Sequence, residues 1–313
     1  MLLCAAYELL GAGIMRSDGA YMPIKLRISV IGIEFIAGLG LYFLGAGESG
    51  LSPFRLIAGN PLIVVSVSFT VFTGLLYMWG LKFIGLSIQE ALCGFSGVLI
   101  FLGMIVTQML TGRLAAASQL LVPYRLIPII IMLIGVCILP DLNTNKSCRS
   151  AQADHEALTD IRTGRGRMIK GLIITFAAII CDASDSLLTS IIMDEGTIGT
   201  IDYMIAAYMV AAVWGAVLYI GLWAREKKPF NPLKRKNLPI CIYAVLIIFH
   251  TAFYLMGVYA SPVKATILWC VYPIIPLIAA RLILKEKYNA PQYVCIWITA
   301  AASIAYCLFD VVT

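Results

Sequence analysis

Residues 169–193 read IKGLIITFAAIICDASDSLLTSIIM, and this stretch decides the class of fold. At 1.5 Å per residue, a helix of that length runs for roughly 37 Å, longer than the ~30 Å hydrocarbon core of a bilayer. Its acids are not scattered. Asp182, Asp185, Ser186 and Thr189 recur at i, i+3, i+4 and i+7, which puts them on one helical face. A carboxylate at mid-helix costs about 2.5–3.5 kcal/mol on insertion scales, so the stripe faces a polar interior. It reads as the wall of a wet cavity that meets solute or protons, or as a polar clamp between helices.

Working outward, the same kind of run recurs. The chain has 313 residues, 61% hydrophobic and 13% charged, with mean hydropathy +0.92. A soluble domain is about 25% charged, and one core of this length could not cover so much apolar surface. Spans are expected near 1–15, 25–46, 61–82, 86–110, 118–139, 169–193, 202–224, 238–259, 262–284 and 291–312. The fold expected is an all-α polytopic membrane protein of about ten transmembrane helices. Residues 1–15 carry Tyr7 and Glu8 with no positive segment before them, unlike a signal peptide. They read as a short first span whose start the sequence leaves open. The polar stretch 140–168 divides five spans from five and is too short to build a core. Of the nine cysteines, only Cys148 lies outside the apolar runs, so no disulfide framework or metal site is expected.

The two halves echo one another. Tyr77-Met-Trp-Gly80 matches Tyr254-Leu-Met-Gly257, and Cys4-Ala-Ala-Tyr-Glu8 matches Cys181-Asp-Ala-Ser-Asp185 at the same offset. Ser87 then matches Ser261, Thr111-Gly-Arg113 matches Lys285-Glu-Lys287, and Gln119 matches Gln292. Common order and near-constant spacing argue for a duplicated unit, 1–139 and 169–313. An odd number of spans per unit turns the second copy upside down, the inverted-repeat plan of many transporters.

Several of these stretches resemble the drug/metabolite transporter superfamily, EamA-type and nucleotide-sugar-transporter-like members included. The nearest likeness is to the solute-carrier 35 F-type branch. It is carried by Ile33-Glu-Phe35, Leu41-Tyr-Phe-Leu44, Asn60-Pro-Leu62, Thr73-Gly74 with Leu76-Tyr77, and Thr111-Gly-Arg-Leu114. Leu284-Lys-Glu-Lys-Tyr288 with Gln292 is similar to the run that ends the ninth span of EamA-type repeats. The resemblance implies a ten-helix carrier of small organic metabolites with both termini in the cytosol. The paired Lys-Arg of the sugar-phosphate translocators is absent, Val271 and Tyr272 standing there. Charge argues for the opposite orientation. Most Lys and Arg fall in odd-numbered connections, which the positive-inside rule puts in the cytosol. Orientation stays open.

Other intramembrane polar groups extend the candidate pathway. Glu8 stands where Asp185 does in the second half, so acids recur at related sites. Glu34 is solitary among Ile, Gly and Phe. Glu90 with Gln89, and Lys264 opposite them in the repeat alignment, form a second cluster suited to a gate or to anion recognition. Both lie near span ends, where lysine also snorkels. His250 shares a face with Tyr254 and Gly257, and its repeat partner Thr73 precedes Tyr77 by one turn. A histidine there is a proton carrier or a packed group bonded to a carbonyl. Pro273 and Pro276 in the ninth span, and Pro123 near Arg125 in the fifth, free carbonyls that line a cavity or make a hinge.

Gly94-Phe-Ser-Gly97 matches the GxSG of rhomboid proteases, with Ser96 as nucleophile and His250 as the intramembrane base. The histidines and Asn that pattern wants in its second span are missing, and small residues at this spacing are common packing faces. There is no GxxxxGK[ST] loop, so ATP is not expected to drive the process directly. The sequence reads as an integral multi-pass membrane protein that is not an enzyme and takes no cofactor or metal. Its partners are the bilayer and a small organic solute, exchanged for another or coupled to protons, with cationic or zwitterionic solutes favoured by the acids. A non-transporting scaffold or receptor is the rival reading. No nucleic acid is implied, and neither the substrate nor the membrane is named.

Overall fold

The computed structural model describes residues 2–17, 21–47, 50, 52–93, 95–110, 123–142, 155–194, 198–232, 234–260, 274–286 and 288–312. These residues are helical, joined by short turns, with no strand among them. The helices are α1 (Leu2–Ser17), α2 (Met22–Phe43), the short α3 (Pro53–Gly59), α4 (Leu62–Ile84), α5 (Leu86–Cys93), α6 (Phe95–Leu110) and α7 (Pro123–Leu142). After these come α8 (His155–Asp194), α9 (Thr200–Glu226), a 3₁₀ turn at Arg235–Asn237, α10 (Leu238–Ala260), α11 (Ile274–Leu282) and α12 (Ala290–Val312). Among the described residues, four segments are long and apolar enough to cross a membrane: Met22–Phe43, Leu62–Ile84, Gly166–Thr189 and Thr200–Glu226.

The expected spans and the observed helices differ in instructive places. The span expected at 86–110 corresponds to two helices on either side of residue 94. The first half of the span expected at 262–284 lies outside the described residues. Helix α8 starts at His155, inside the stretch taken as a polar connection, because Glu156 to Gly166 contains no proline to stop it. Helix α3 was not expected; Pro53 at its first position and Ser52, whose hydroxyl accepts from Arg55 N–H at 3.4 Å, start it.

Gly85 ends α4 with φ +80°, a conformation open to glycine and costly for other residues. The chain turns there, and α5 begins at once. A Cβ at Gly85 would also meet Glu286 Oε1 at 2.9 Å, so the turn and the approach of Glu286 both require its absence.

Helix α4 packs along α8, α2 along α9, α1 and α2 against α10, α6 against α8, α1 against α11, and α7 along α12. Three apolar clusters fill the seams. One holds Ile88, Leu92, Met132 and Ile296, a second Leu26, Leu86, Tyr243 and Ala244, and a third Ile31, Ile63, Val71 and Ala206. The α4–α8 contact is close because glycines face it. A Cβ on Gly171 would lie 2.7 Å from Phe83 Cβ, and one on Gly80 would overlap the Thr175 hydroxyl. The outward faces keep Ile173, Val213, Ile220 and Trp223 exposed, an apolar exterior unlike that of a soluble protein.

Candidate functional site

The polar stripe of α8 meets two different neighbours. Asp185 Oδ1 accepts the hydroxyl of Ser66, on α4, at 2.5 Å. Ser66 Oγ lies 3.1 Å from Thr189 Oγ1 and 2.9 Å from the Tyr203 hydroxyl on α9, and those two oxygens are 2.9 Å apart. One turn along α8, Asp182 Oδ2 accepts the hydroxyl of Ser96, on α6, at 2.5 Å. Ser186 lies half-buried beside them. Ser66 is fully buried, just past the first turn of α4, on a face that also carries Thr70 and Thr73.

Neither aspartate has an ion-pair partner among the described residues. Each is held by hydroxyl donors alone, the weaker kind of compensation for a buried carboxylate. A hydroxyl has one proton and two lone pairs, so Ser66, which gives its proton to Asp185, accepts from Thr189 or Tyr203. The three hydroxyls and the carboxylate form a closed set that can reverse direction when Asp185 gains a proton. That set is suited to binding a proton or a solute's ammonium group.

Glu34 is not solitary, which corrects the expectation. Arg27, seven residues earlier on α2, places Nη1 3.8 Å from Glu34 Oε1 and donates from Nη2 to Thr70 O on α4 at 3.4 Å. Its side chain crosses Gly74, where a Cβ would stand 3.1 Å from Arg27 Cδ. Thr70 in turn donates to Ser66 O at 3.3 Å. Polar contacts therefore run from Glu34 on α2, across α4, to Asp185 on α8.

A second group forms at the α4–α5 corner. The Tyr77 hydroxyl donates to Glu90 Oε1, and Gln89 Nε2 donates to Tyr77 O at 2.7 Å. Glu90 and Gln89 are 1% and 0% exposed, so Glu90 faces the interior despite its place near a helix end. Glu90 Oε2 and Gln89 Oε1 have no hydrogen-bond partner among the described residues. Glu8, buried on α1, lies within electrostatic reach of Tyr77. Of the residues singled out from sequence, Glu8, Tyr77, Gln89 and Glu90 thus come together. Lys264, their expected counterpart, lies outside the described residues, as do Pro273 and the side chains of Tyr254 and Arg125.

His250 packs on Tyr7, ring centroids 5.3 Å apart, and Tyr7 packs on Tyr243. Ser96 gives its hydroxyl to Asp182, so the two members of the protease reading have different neighbours. No cluster of metal-ligating side chains occurs among the described residues.

Sequence reasoning missed Arg27, Ser66 and Tyr203. Arg27 had a signal, two turns before Glu34 on one face, and so had Ser66, which Thr70 and Thr73 follow at i+4 and i+7; Tyr203 had none. It also missed what Glu286 does. Glu286, in the Leu284-Lys-Glu-Lys-Tyr288 run, accepts at Oε1 from Leu86 N–H at 3.0 Å and at Oε2 from Ser87 N–H at 3.1 Å. The Ser87 and Tyr288 hydroxyls add bonds at 2.6 and 3.1 Å. Gln292 and Asn289 exchange side-chain and backbone bonds at 3.1 Å, a reciprocal box that starts α12. No known family model matches the chain, and no curated protein matches it.

Proposed function

We propose that the chain is a multi-pass membrane carrier of a small organic solute, working by alternating access with exchange or proton coupling. The observation that carries this reading is the pair Asp182 and Asp185, set among α4, α6, α8 and α9 with hydroxyls as their neighbours and no ion-pair partner among the described residues. Intramembrane acids of this kind mark ion and substrate pathways by default. Glu34 and the Glu8–Tyr77–Glu90 group extend the pathway along α4, where Tyr77 shares a face with Ser66, Thr70 and Thr73.

The packing supports an inverted repeat. Number the expected spans in order, and let each of the first five exchange with the span five places later. The third–sixth contact (α4–α8) then becomes the eighth–first contact (α10–α1). The second–eighth contact (α2–α10) becomes the seventh–third (α9–α4), and the fourth–sixth (α6–α8) becomes the ninth–first (α11–α1). The second–seventh and fifth–tenth contacts map onto themselves. A carrier whose halves rock about such an axis keeps its site between them.

A second reading has its own observation. Each aspartate is bonded to a serine on another helix, which is how a polar clamp in a non-transporting scaffold would be built. Asn in place of Asp keeps an acceptor for the serine and removes the charge. Solute uptake into proteoliposomes by Asp182→Asn/Asp185→Asn therefore separates the two readings. A carrier loses flux while keeping its fold; a protein that moves no solute from a broad panel in either form is a scaffold.

A further inference from the structure

Arg27 enters the seam between α2 and α4 and lies against Gly74, where a Cβ would stand 3.1 Å from its Cδ and 3.2 Å from its Nε. Its side chain keeps 10% of its surface exposed and that of Glu34 15%, so the seam is nearly closed but not sealed. A guanidinium carries five N–H donors in a planar fork. Among the described residues one of them meets an acceptor, Nη2 on Thr70 O, and at 3.4 Å that bond is long. Nε is buried with no acceptor among the described residues. Glu34 answers the charge, but its Oε1 stands 3.8 Å from Nη1, beyond hydrogen-bonding distance. The charge is met, and the fork is not. A planar carboxylate, which accepts two N–H groups side by side, is the group that satisfies such a fork.

Thr70 joins this fork to the aspartate set. Its carbonyl takes Arg27 Nη2, and its hydroxyl lies within reach of the Asp185 carboxylate. Two hydrogen-bond lengths and the span of one residue put the fork and Asp185 roughly 10 Å apart at most. We infer that Arg27 is the carboxylate-binding residue of the solute site, and that the solute is a short amino carboxylate whose ammonium group meets Asp185. Bonds of ~3 Å at each end leave ~4 Å between the solute's own charged groups, the separation in an α- or β-amino carboxylate. Charge favours the same class. A zwitterion adds no net charge to a seam that holds Glu34 and Asp185 against Arg27, whereas a phosphate ester would bring further negative charge beside two acids. The inference rests on the carrier reading for the solute's fate, and stands apart from it for the solute's binding.

The test is binding by the whole chain in nanodiscs, read as thermal stabilisation. The probes are glycine, β-alanine and 6-aminohexanoate, each beside its carboxamide, which keeps the ammonium and loses the carboxylate. Glycine or β-alanine at millimolar concentration is expected to stabilise the protein, with its carboxamide and 6-aminohexanoate binding about tenfold more weakly. Arg27→Lys keeps a cation beside Glu34 and removes the fork. It should weaken the acid about tenfold and leave the carboxamide unchanged. Glu34→Gln removes the competing carboxylate and should tighten the acid by about threefold. An Arg27–Glu34 bridge with a purely structural role would leave the preference for acid over carboxamide unchanged in both variants. Arg225→Lys, at an exposed arginine near the end of α9, should leave binding within about twofold. Binding without uptake keeps the assignment and sinks the carrier reading; uptake in which carboxamides match the acids does the reverse. No stabilisation by any probe, or an acid preference that survives Arg27→Lys, overturns the assignment.

Discussion

Ser87 gives both its backbone N–H and its hydroxyl to one oxygen, Glu286 Oε2, at 3.1 and 2.6 Å. Glu286 therefore does for α5 what an N-cap residue does, although it comes from the far end of the chain. The first N–H groups of a helix have no intrahelical partner, and a carboxylate there also meets the positive end of the dipole. Leu86 and Ser87 are buried, and the carboxylate meets their N–H groups directly. Glu286→Ala is expected to destabilise the protein by about 1–3 kcal/mol, with Glu286→Gln between it and wild type. Thermal unfolding in detergent reads the order; an alanine variant as stable as wild type contradicts the cap.

Gly171 brings α8 onto the end of α4 near Phe83 and Ile84. Gly171→Val should overpack this seam and cost about 1–3 kcal/mol. Gly32→Ala, where a Cβ meets nothing within 4 Å, should be neutral or slightly stabilising. The comparison of the two melting temperatures is the check, and equal effects would contradict the close approach.

Ser66 and Asp185 should behave as one unit. Removing the hydroxyl in Ser66→Ala leaves Asp185 without its 2.5 Å donor, and Asp185→Asn changes the same bond from the other side. A double-mutant cycle on unfolding should give a coupling of about 0.5–3 kcal/mol. Additive effects within about 0.5 kcal/mol would mean that the bond contributes nothing of its own.

The inverted-repeat reading puts Ser52, before α3, and Asn289, before α12, on opposite faces of the membrane. Single cysteines at the two positions in a cysteine-depleted background should react with an impermeant maleimide from opposite sides. Labelling of both from one side contradicts the span parity.

The helices were legible where apolar length and period agree. The run 61–82 is read as a span and is α4, Leu62–Ile84; the 3.6-residue period of Asp182, Asp185, Ser186 and Thr189 marks one face. What the stripe touches was not legible, because whether Ser66, Ser96 and Tyr203 meet it depends on how helices cross. The Arg27–Glu34 pair was legible in principle, as two turns on one helix. The role of Glu286 was not, since its partners Leu86 and Ser87 lie in the other half of the chain and only tertiary packing brings them together. The helical extension of α8 ahead of the span 169–193 was not expected, because polar residues without proline extend a helix as readily as they make a loop.

In the proposed carrier, Asp182 and Asp185 serve a transport pathway and do more than hold helices together. Uptake into proteoliposomes preloaded with a metabolite panel, with and without a proton gradient, tests it most directly. Uptake is expected to depend on the preloaded solute or on the gradient, and to collapse in Asp182→Asn/Asp185→Asn while the melting temperature is nearly kept. Uptake unchanged in that variant, or no solute moved by well-folded wild-type protein across the panel, would contradict it.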